Sequence, residues 1–212
     1  MLLAIVLLGL FTLFSRQVKR GSFTSIDFDT TVRVQGAVAK LDIARFEGFL
    51  EDIGVFASPT VSIAGTGVLT LWAAKKRRLA ALLIPVAFVL MTIAEIYGKS
   101  VVHHPAPPFF LLKNPTTIFP TYHVWEEFSY PSGHAARATF LAIVFWFLAM
   151  KQFNNITISR KLWIGLALGV YVGIISLSRI YLGHHWLTDI IGGLVLGSGF
   201  ALLTTEKTSD GS

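Results

Sequence analysis

Two residues near the end of the chain have a spacing that suits nucleophilic catalysis. His185 and Asp189 are four positions apart, which places them on one face of a helix and within reach of each other. A carboxylate there can accept the imidazole Nδ1–H, so that Nε2 keeps its lone pair and the cation formed on attack is stabilised. An isolated His-x-x-x-Asp is more often a structural pair. Here a functional pair is favoured, because Arg179 lies six residues before His185 and its planar guanidinium is suited to phosphate oxygens.

A second polar segment, Pro131-Ser132-Gly133-His134, is typical of the first turn of a helix. Its backbone N–H groups and hydroxyl form an anion site at the positive end of the helix dipole, and His134 could protonate a leaving alkoxide. Taken alone, the segment is better explained as an ordinary N-cap with an interfacial histidine.

Lys99 lies between an apolar segment and a Pro-rich loop. By itself it is better explained as a lysine that snorkels to the membrane interface. Glu95 lies one turn earlier on the same face. The sequence leaves open whether Glu95 binds a ligand, forms a salt bridge or snorkels.

The composition indicates which class of protein holds these residues. The chain has 212 residues, of which 53% are hydrophobic and 14% charged. Soluble domains carry about 25% charged residues, so a lone soluble domain is disfavoured and disorder is excluded. The absence of Cys excludes disulfides, thiolate metal sites and Cys nucleophiles. The net charge of +6 is interpreted as a topology signal rather than as a nucleic-acid footprint.

Six apolar segments approach the roughly 20 residues that a spanning helix needs. The first is short and resembles a signal-peptide core, but it lacks a basic start and an A-x-A site, so we predict an uncleaved span. Residues 24–52 mix charged and apolar residues at helical spacing, which predicts an interfacial amphipathic helix. The predicted fold is all-α, a polytopic membrane helical bundle of six transmembrane helices plus this amphipathic helix. The six segments are 1–14, 53–74, 79–97, 133–150, 162–178 and 186–204.

Basic residues predict the orientation in the membrane. One cluster lies between the second and third spans and another between the fourth and fifth, and the positive-inside rule makes both loops and both termini cytoplasmic. The segments with His134 and His185 then face outward. We divide the chain into a first helix with the amphipathic segment (1–52), a helical core (53–204) and a polar tail (205–212). The clusters are Lys75, Lys76, Arg77 and Arg78, then Lys151, Arg160 and Lys161, while Arg16, Lys19 and Arg20 fall on the outer side against the rule.

These motifs resemble the second and third signatures of the type-2 phosphatidic acid phosphatase superfamily, membrane lipid phosphatases related to vanadium haloperoxidases. Ser-Arg-x5-His-x3-Asp over 178–189 agrees with the third signature at every defining position, and Pro-Ser-Gly-His over 131–134 agrees with the second. The resemblance covers the chain from about residue 53 to 204 and implies the family's helical core.

The resemblance also implies roles for individual residues. His185 would be the nucleophile that forms a phosphohistidine, Asp189 would orient it, and His134 would be the general acid. No metal or other cofactor is expected, because cationic side chains and helix N–H groups stabilise the charge. The phosphoryl oxygens would be held by Lys99, Ser132, Gly133 and Arg179.

One position departs from the family's first signature, Lys-x6-Arg-Pro. Lys99 is followed at the right distance by Ala106-Pro107, so the arginine is missing. We predict that Arg137, one turn after His134, replaces it, because arginine is rare so close to the start of a span. Snorkelling explains Arg137 nearly as well. Alternatives are a protonated His103 or His104 as a further phosphate ligand, or a catalytically weakened chain.

The resemblance implies an integral lipid phosphatase of a bacterial plasma membrane with an outward-facing active site. Its partners would be the bilayer and a membrane lipid phosphate, and nucleic acid is not expected. A polyprenyl diphosphate is favoured over phosphatidylglycerol phosphate and phosphatidic acid. Two alternatives stay open: a phosphotransferase of the same chemistry, and a non-catalytic lipid-phosphate binder, against which the intact His134, His185 and Asp189 argue. The sequence does not determine the oligomeric state.

Overall fold

A computed structural model of the protein describes residues 1–40, 46–75, 81–113, 127–153 and 157–207, with side chains as far as residue 204. Within these ranges the chain forms eight α-helices, in agreement with the predicted all-α class. Three of the predicted loop cations (Lys76, Arg77 and Arg78) and most of the predicted tail lie outside the described residues. The helices are α1 (Leu2–Lys19), α2 (Thr24–Ala39), α3 (Phe46–Gly54), α4 (Pro59–Ala74), α5 (Leu83–Val102), α6 (Gly133–Gln152), α7 (Ile158–Tyr181) and α8 (Leu187–Lys207).

Five of the described helices (α1, α5, α6, α7 and α8) are long and apolar enough to cross a membrane. A sixth span exists if Phe46–Ala57 and Pro59–Ala74, which meet at a bend of 45°, cross as one broken unit. The predicted second span, residues 53–74, therefore corresponds to the end of this bent unit and is not one straight helix. Ser58 caps α4 by accepting a hydrogen bond from the Val61 N–H, and Pro59 occupies the first turn, so the straight helix starts there.

The predicted amphipathic helix over 24–52 is two helices, α2 and α3. In α2 the side chains of Asp27 and Thr31 are buried, whereas Ile26, Phe28 and Val32 are exposed. The helix is amphipathic as expected, but part of its polar side is turned toward the protein. This orientation brings a carboxylate into the interior of the bundle.

The centre of the bundle is the contact between α6 and α8. A Cβ atom at Gly193 would collide with the carbonyl oxygen of Ser132, and one at Gly197 would collide with that of Ala136. Glycine at these two positions lets the helix backbones approach closely, which is how membrane helices gain packing energy. Phe140 of α6 is fully buried in the apolar core beside this contact.

Several helix ends meet at one end of the bundle. The Ser132 N–H donates to the Asp189 carbonyl at 2.9 Å, which joins the start of α6 to the start of α8. The end of α1 lies there too, since Lys19 Nζ donates to the Val101 carbonyl at 2.8 Å. The cations that close α1 therefore lie at the same end of the bundle as the two histidine motifs, as the six-span topology requires.

Candidate active site

The His185–Asp189 pair forms where α8 begins. His185 Nδ1 lies 3.4 Å from Asp189 Oδ2, and Asp189 is completely buried. The same Oδ2 accepts the Trp186 N–H at 2.8 Å, so Asp189 also satisfies a free amide of the first helical turn. The ring thus presents Nδ1 to the carboxylate, and Nε2 is the nitrogen left for a phosphoryl group.

A tight turn between α7 and α8 sets the distance from Arg179 to His185. Gly183 has a φ of 72°, a left-handed conformation that favours glycine. The N–H groups of His184 and His185 both donate to the Arg179 carbonyl, at 3.0 and 3.2 Å. This closes α7 in the manner of a helix C-cap and keeps the guanidinium and the imidazole in one cluster.

Arg179 is held by α3, a contact that the sequence did not predict. Its Nη2 lies 3.0 Å from Glu51 Oε2 and donates to the Leu50 carbonyl at 3.1 Å. A Cβ atom at Gly54 would lie 2.7 Å from Arg179 Cζ, so the guanidinium rests directly on the helix. In the sequence Glu51 is one of several acids in the segment 24–52, and its spacing does not distinguish it from the others.

His134 lies in the first turn of α6, which Ser132 caps by accepting the Ala135 N–H at 3.5 Å. It is partly buried, and its electrostatic neighbours include Arg179, Arg137 and His185. The residues predicted as acid, nucleophile and phosphate-binding cation are therefore neighbours, although His134 belongs to α6 and Arg179 to α7. His185 lies in the turn before α8 rather than on a helix as predicted, because α8 begins only at Leu187.

Glu95 forms a buried ion pair, which resolves the three interpretations that the sequence left open. Its Oε2 lies 2.9 Å from Arg137 Nη1, and its Oε1 lies 4.0 Å from Lys99 Nζ. Arg137 Nε also donates to the Ala57 carbonyl at 2.9 Å. A Cβ atom at Gly133 would lie 2.5 Å from Glu95 Cδ, so this carboxylate occupies the N-terminus of α6, where an anion is favoured. Arg137 points inward and does not snorkel.

His104 lies between two carboxyl groups. Its Nδ1 lies 2.9 Å from Asp189 Oδ1, and its Nε2 lies 3.8 Å from Asp27 Oδ2. Asp27 accepts hydrogen bonds from the Thr188 N–H and hydroxyl at 2.9 and 2.8 Å. Burial raises the pKa of Asp27, against the opposing effect of these hydrogen bonds.

His103, the other histidine considered as a phosphate ligand, lies outside the cluster. It is exposed, ends α5 with a φ of 53°, and packs edge-on against Phe128 with 4.8 Å between ring centroids. The neighbouring loop strands pair through the Ala106 N–H, which donates to the Glu127 carbonyl at 3.1 Å. Position 106, where the family's arginine is missing, is thus part of this backbone pairing.

Comparison with known proteins places this geometry in a family. The sequence model of the PAP2 superfamily matches residues 79–210. An undecaprenyl-diphosphatase from Sulfolobus acidocaldarius is 28% identical over 211 residues, which cover 97% of this chain and 91% of that protein. Phosphatidylglycerophosphatase B from Bacillus subtilis is 34% identical over 72 residues, a local match to 34% of this chain and 35% of that protein.

Two solved structures share the fold. The first is a transmembrane PAP2-type phosphatidylglycerolphosphate phosphatase from Bacillus subtilis, with a TM-score of 0.75, 19% identity, and coverage of 98% of this chain and 96% of that one. The second is LpxE from Aquifex aeolicus, with a TM-score of 0.60, 21% identity, and coverage of 85% and 95%. Because the family model matches more than half of the chain, the protein belongs to the PAP2 superfamily and is an integral membrane phosphatase.

Proposed function

We propose that the protein hydrolyses a phosphate monoester or diphosphate of a membrane lipid through a phosphohistidine at His185, with a polyprenyl diphosphate as its preferred substrate. The observation that carries this proposal is the convergence of His185, Asp189, His134 and Arg179 at one end of a membrane bundle. The relative from Sulfolobus acidocaldarius, an undecaprenyl-diphosphatase that matches almost the whole chain, favours the diphosphate.

In the first step His185 Nε2 attacks the terminal phosphorus. The new N–P bond forms as the P–O bond to the lipid breaks, and His134 donates a proton to the departing oxygen. For a diphosphate, the leaving group is the lipid monophosphate. Asp189, facing Nδ1 at 3.4 Å, stabilises the positive charge that develops on the imidazole.

In the second step water attacks the phosphohistidine. His134, now unprotonated, accepts a proton from that water, the N–P bond breaks, and inorganic phosphate leaves. Both steps spread negative charge over the equatorial oxygens. Fixed donors stabilise that charge because they need no reorganisation during the reaction. We assign these donors to Arg179, Lys99, the Ser132 hydroxyl and the N–H groups at Gly133.

We assign the place of the missing arginine to Arg137. It is buried beside His134 and already binds an anionic group, the Glu95 carboxylate, at the start of α6. A phosphoryl group would compete with that carboxylate for Arg137 and Lys99. This predicts that Glu95 weakens substrate binding.

We place the site on the outer side of the membrane. The cations Lys75, Lys151, Arg160 and Lys161 flank helix ends that are remote from the histidine motifs along α4, α6 and α7, and the positive-inside rule assigns them to the cytoplasm. A lipid substrate would keep its apolar chain among the helices' lipid-facing side chains while its phosphate enters the polar cluster.

The proposal is tested by phosphate release from purified protein in detergent. We expect release from undecaprenyl diphosphate to exceed release from phosphatidylglycerol phosphate and phosphatidic acid, and to fall to background in His185→Ala. His103→Asn is the matched control: it changes an exposed histidine, and we expect it to retain wild-type activity. Absence of release from every substrate would reject the enzyme proposal. Transfer to an added alcohol in preference to water would favour the phosphotransferase.

A further inference from the structure

The mechanism above leaves His104 and Asp27 without a role, although both are buried next to the nucleophile's partner. We propose that His104, supported by Asp27, is a positioning residue that fixes the Asp189 carboxylate so that it faces His185. This inference rests on the proposed role of His185 as nucleophile.

The first argument is the distribution of donors around Asp189. Its Oδ2 accepts a hydrogen bond from the Trp186 N–H at 2.8 Å and lies 3.4 Å from His185 Nδ1. Its Oδ1 accepts from His104 Nδ1 at 2.9 Å. A carboxylate in a fully buried position needs donors on both oxygens, and only with Oδ1 held does the plane of the carboxylate stay directed at His185.

The second argument is that the His104 ring is itself fixed. Asp27 Oδ2 lies 3.8 Å from Nε2, and both Asp27 oxygens are occupied by Thr188, the residue next to Asp189. The His104 carbonyl accepts the Ser129 N–H at 3.0 Å. The ring is therefore held between α2, the loop after α5 and α8.

The third argument is that this environment does not suit a phosphate ligand. The two ring nitrogens of His104 face the carboxyl groups of Asp189 and Asp27, so a phosphate in contact with either nitrogen would approach a like charge. A residue of this kind acts by orienting the reactive group. In metal sites, loss of a residue that orients a ligand costs about 10- to 100-fold in affinity or activity.

Two amide substitutions separate the functions of the two nitrogens. In His104→Asn the side-chain NH2 lies where Nδ1 was and can still donate to Asp189. In His104→Gln the NH2 lies where Nε2 was, toward Asp27, and the donor to Asp189 is lost. Asp27→Asn keeps an acceptor for Thr188 and removes the carboxylate.

The experiment measures kcat and KM for undecaprenyl diphosphate in detergent, together with thermal unfolding of each variant. We expect kcat to fall about 10- to 100-fold in His104→Gln, with KM within about threefold of wild type, and to recover most of its value in His104→Asn. Asp27→Asn is expected to show an intermediate loss in kcat. Equal kcat in wild type and both His104 variants would overturn the inference. A loss confined to KM would also overturn it, since it would make His104 a phosphate ligand.

A readout without turnover separates this inference from the proposed function. With ¹⁵N-labelled histidine, NMR reports which ring nitrogen of His185 carries hydrogen, and the His185→Ala spectrum assigns the signal. We expect the Nδ1–H form in wild type and His104→Asn, and a mixture of forms in His104→Gln. An inactive wild-type enzyme with this pattern would reject only the proposed function. An unchanged His185 signal in His104→Gln would reject only the positioning role.

Discussion

Two buried cations of the site are each paired with a buried carboxylate. Glu51 Oε2 lies 3.0 Å from Arg179 Nη2, and Glu95 Oε2 lies 2.9 Å from Arg137 Nη1. Pairing is the physical requirement for keeping such charges out of water. It also means that the charges which would bind phosphate are neutralised while the site is empty. Removing one partner of a buried pair costs about 3–5 kcal/mol, so a single substitution mixes loss of binding with loss of stability.

The role of Arg137 is therefore tested with its partner neutralised. We expect Glu95→Gln to lower KM, because the competing carboxylate is gone. We expect the double variant Glu95→Gln with Arg137→Gln to raise KM about 10- to 100-fold above that single variant. One charge-assisted contact of about 1.5–3 kcal/mol accounts for the change. The measurement is KM, together with the inhibition constant of inorganic phosphate. Identical values for the double and single variants would remove Arg137 from the phosphate site.

At the scale of elements, helix ends carry the site. The end of α7 supplies Arg179, the start of α8 supplies Asp189, and the start of α6 supplies His134. The two helices of the N-terminal segment complete it from outside, since α2 brings Asp27 to His104 and α3 brings Glu51 to Arg179. The helices α2 and α3 of the amphipathic segment thus pack against the site in addition to covering the surface.

The contact of α3 with Arg179 is tested at Gly54. We expect Gly54→Ala to reduce kcat/KM at least about tenfold, because the new Cβ would lie 2.7 Å from Arg179 Cζ and must displace the guanidinium. Gly36→Ala in α2 is the matched control, since its Cβ would meet nothing within 4 Å. The assay is lipid-phosphate hydrolysis with a thermal unfolding curve for each variant. Wild-type activity in Gly54→Ala would show that α3 does not position Arg179.

The features of the fold and site that the sequence predicts are those that depend on residues close together in the chain. Apolar runs predict α1 and α5 to α8, and the His185–Asp189 spacing predicts a contact within one helical turn. The contacts of Asp27 with Thr188 and of Glu51 with Arg179 cross more than a hundred positions. They depend on how α2 and α3 dock, which helical periodicity does not encode. The same limit applies to Glu95, whose pairing with Arg137 depends on the approach of α5 to α6.

At the scale of the whole molecule, the described helices have a consistent direction. The site end gathers the ends of α1, α5 and α7 and the starts of α6 and α8, while the basic residues at 75 and 151–161 lie toward the other end of the helices that carry them. In the proposed orientation, such a bundle places the phosphate chemistry on one side of the membrane and the basic helix ends on the other.

The orientation is tested with single cysteines, which the natural chain lacks. We expect a membrane-impermeant maleimide to label Ser22→Cys in intact cells and to label Lys75→Cys only after the membrane is opened. Both positions are exposed, one after α1 at the site end and the other after α4. Labelling of Lys75→Cys alone in intact cells would reverse the proposed sidedness, while the site geometry would be unaffected.

The most direct test of the central claim is to trap the covalent intermediate. The enzyme is mixed with undecaprenyl diphosphate labelled in its terminal phosphate, quenched under alkaline conditions that preserve phosphohistidine, and digested for mass spectrometry. We expect one labelled peptide that contains His185, and no label in His185→Ala. Turnover by the wild type with no labelled histidine, or with the label on another residue, would contradict the account.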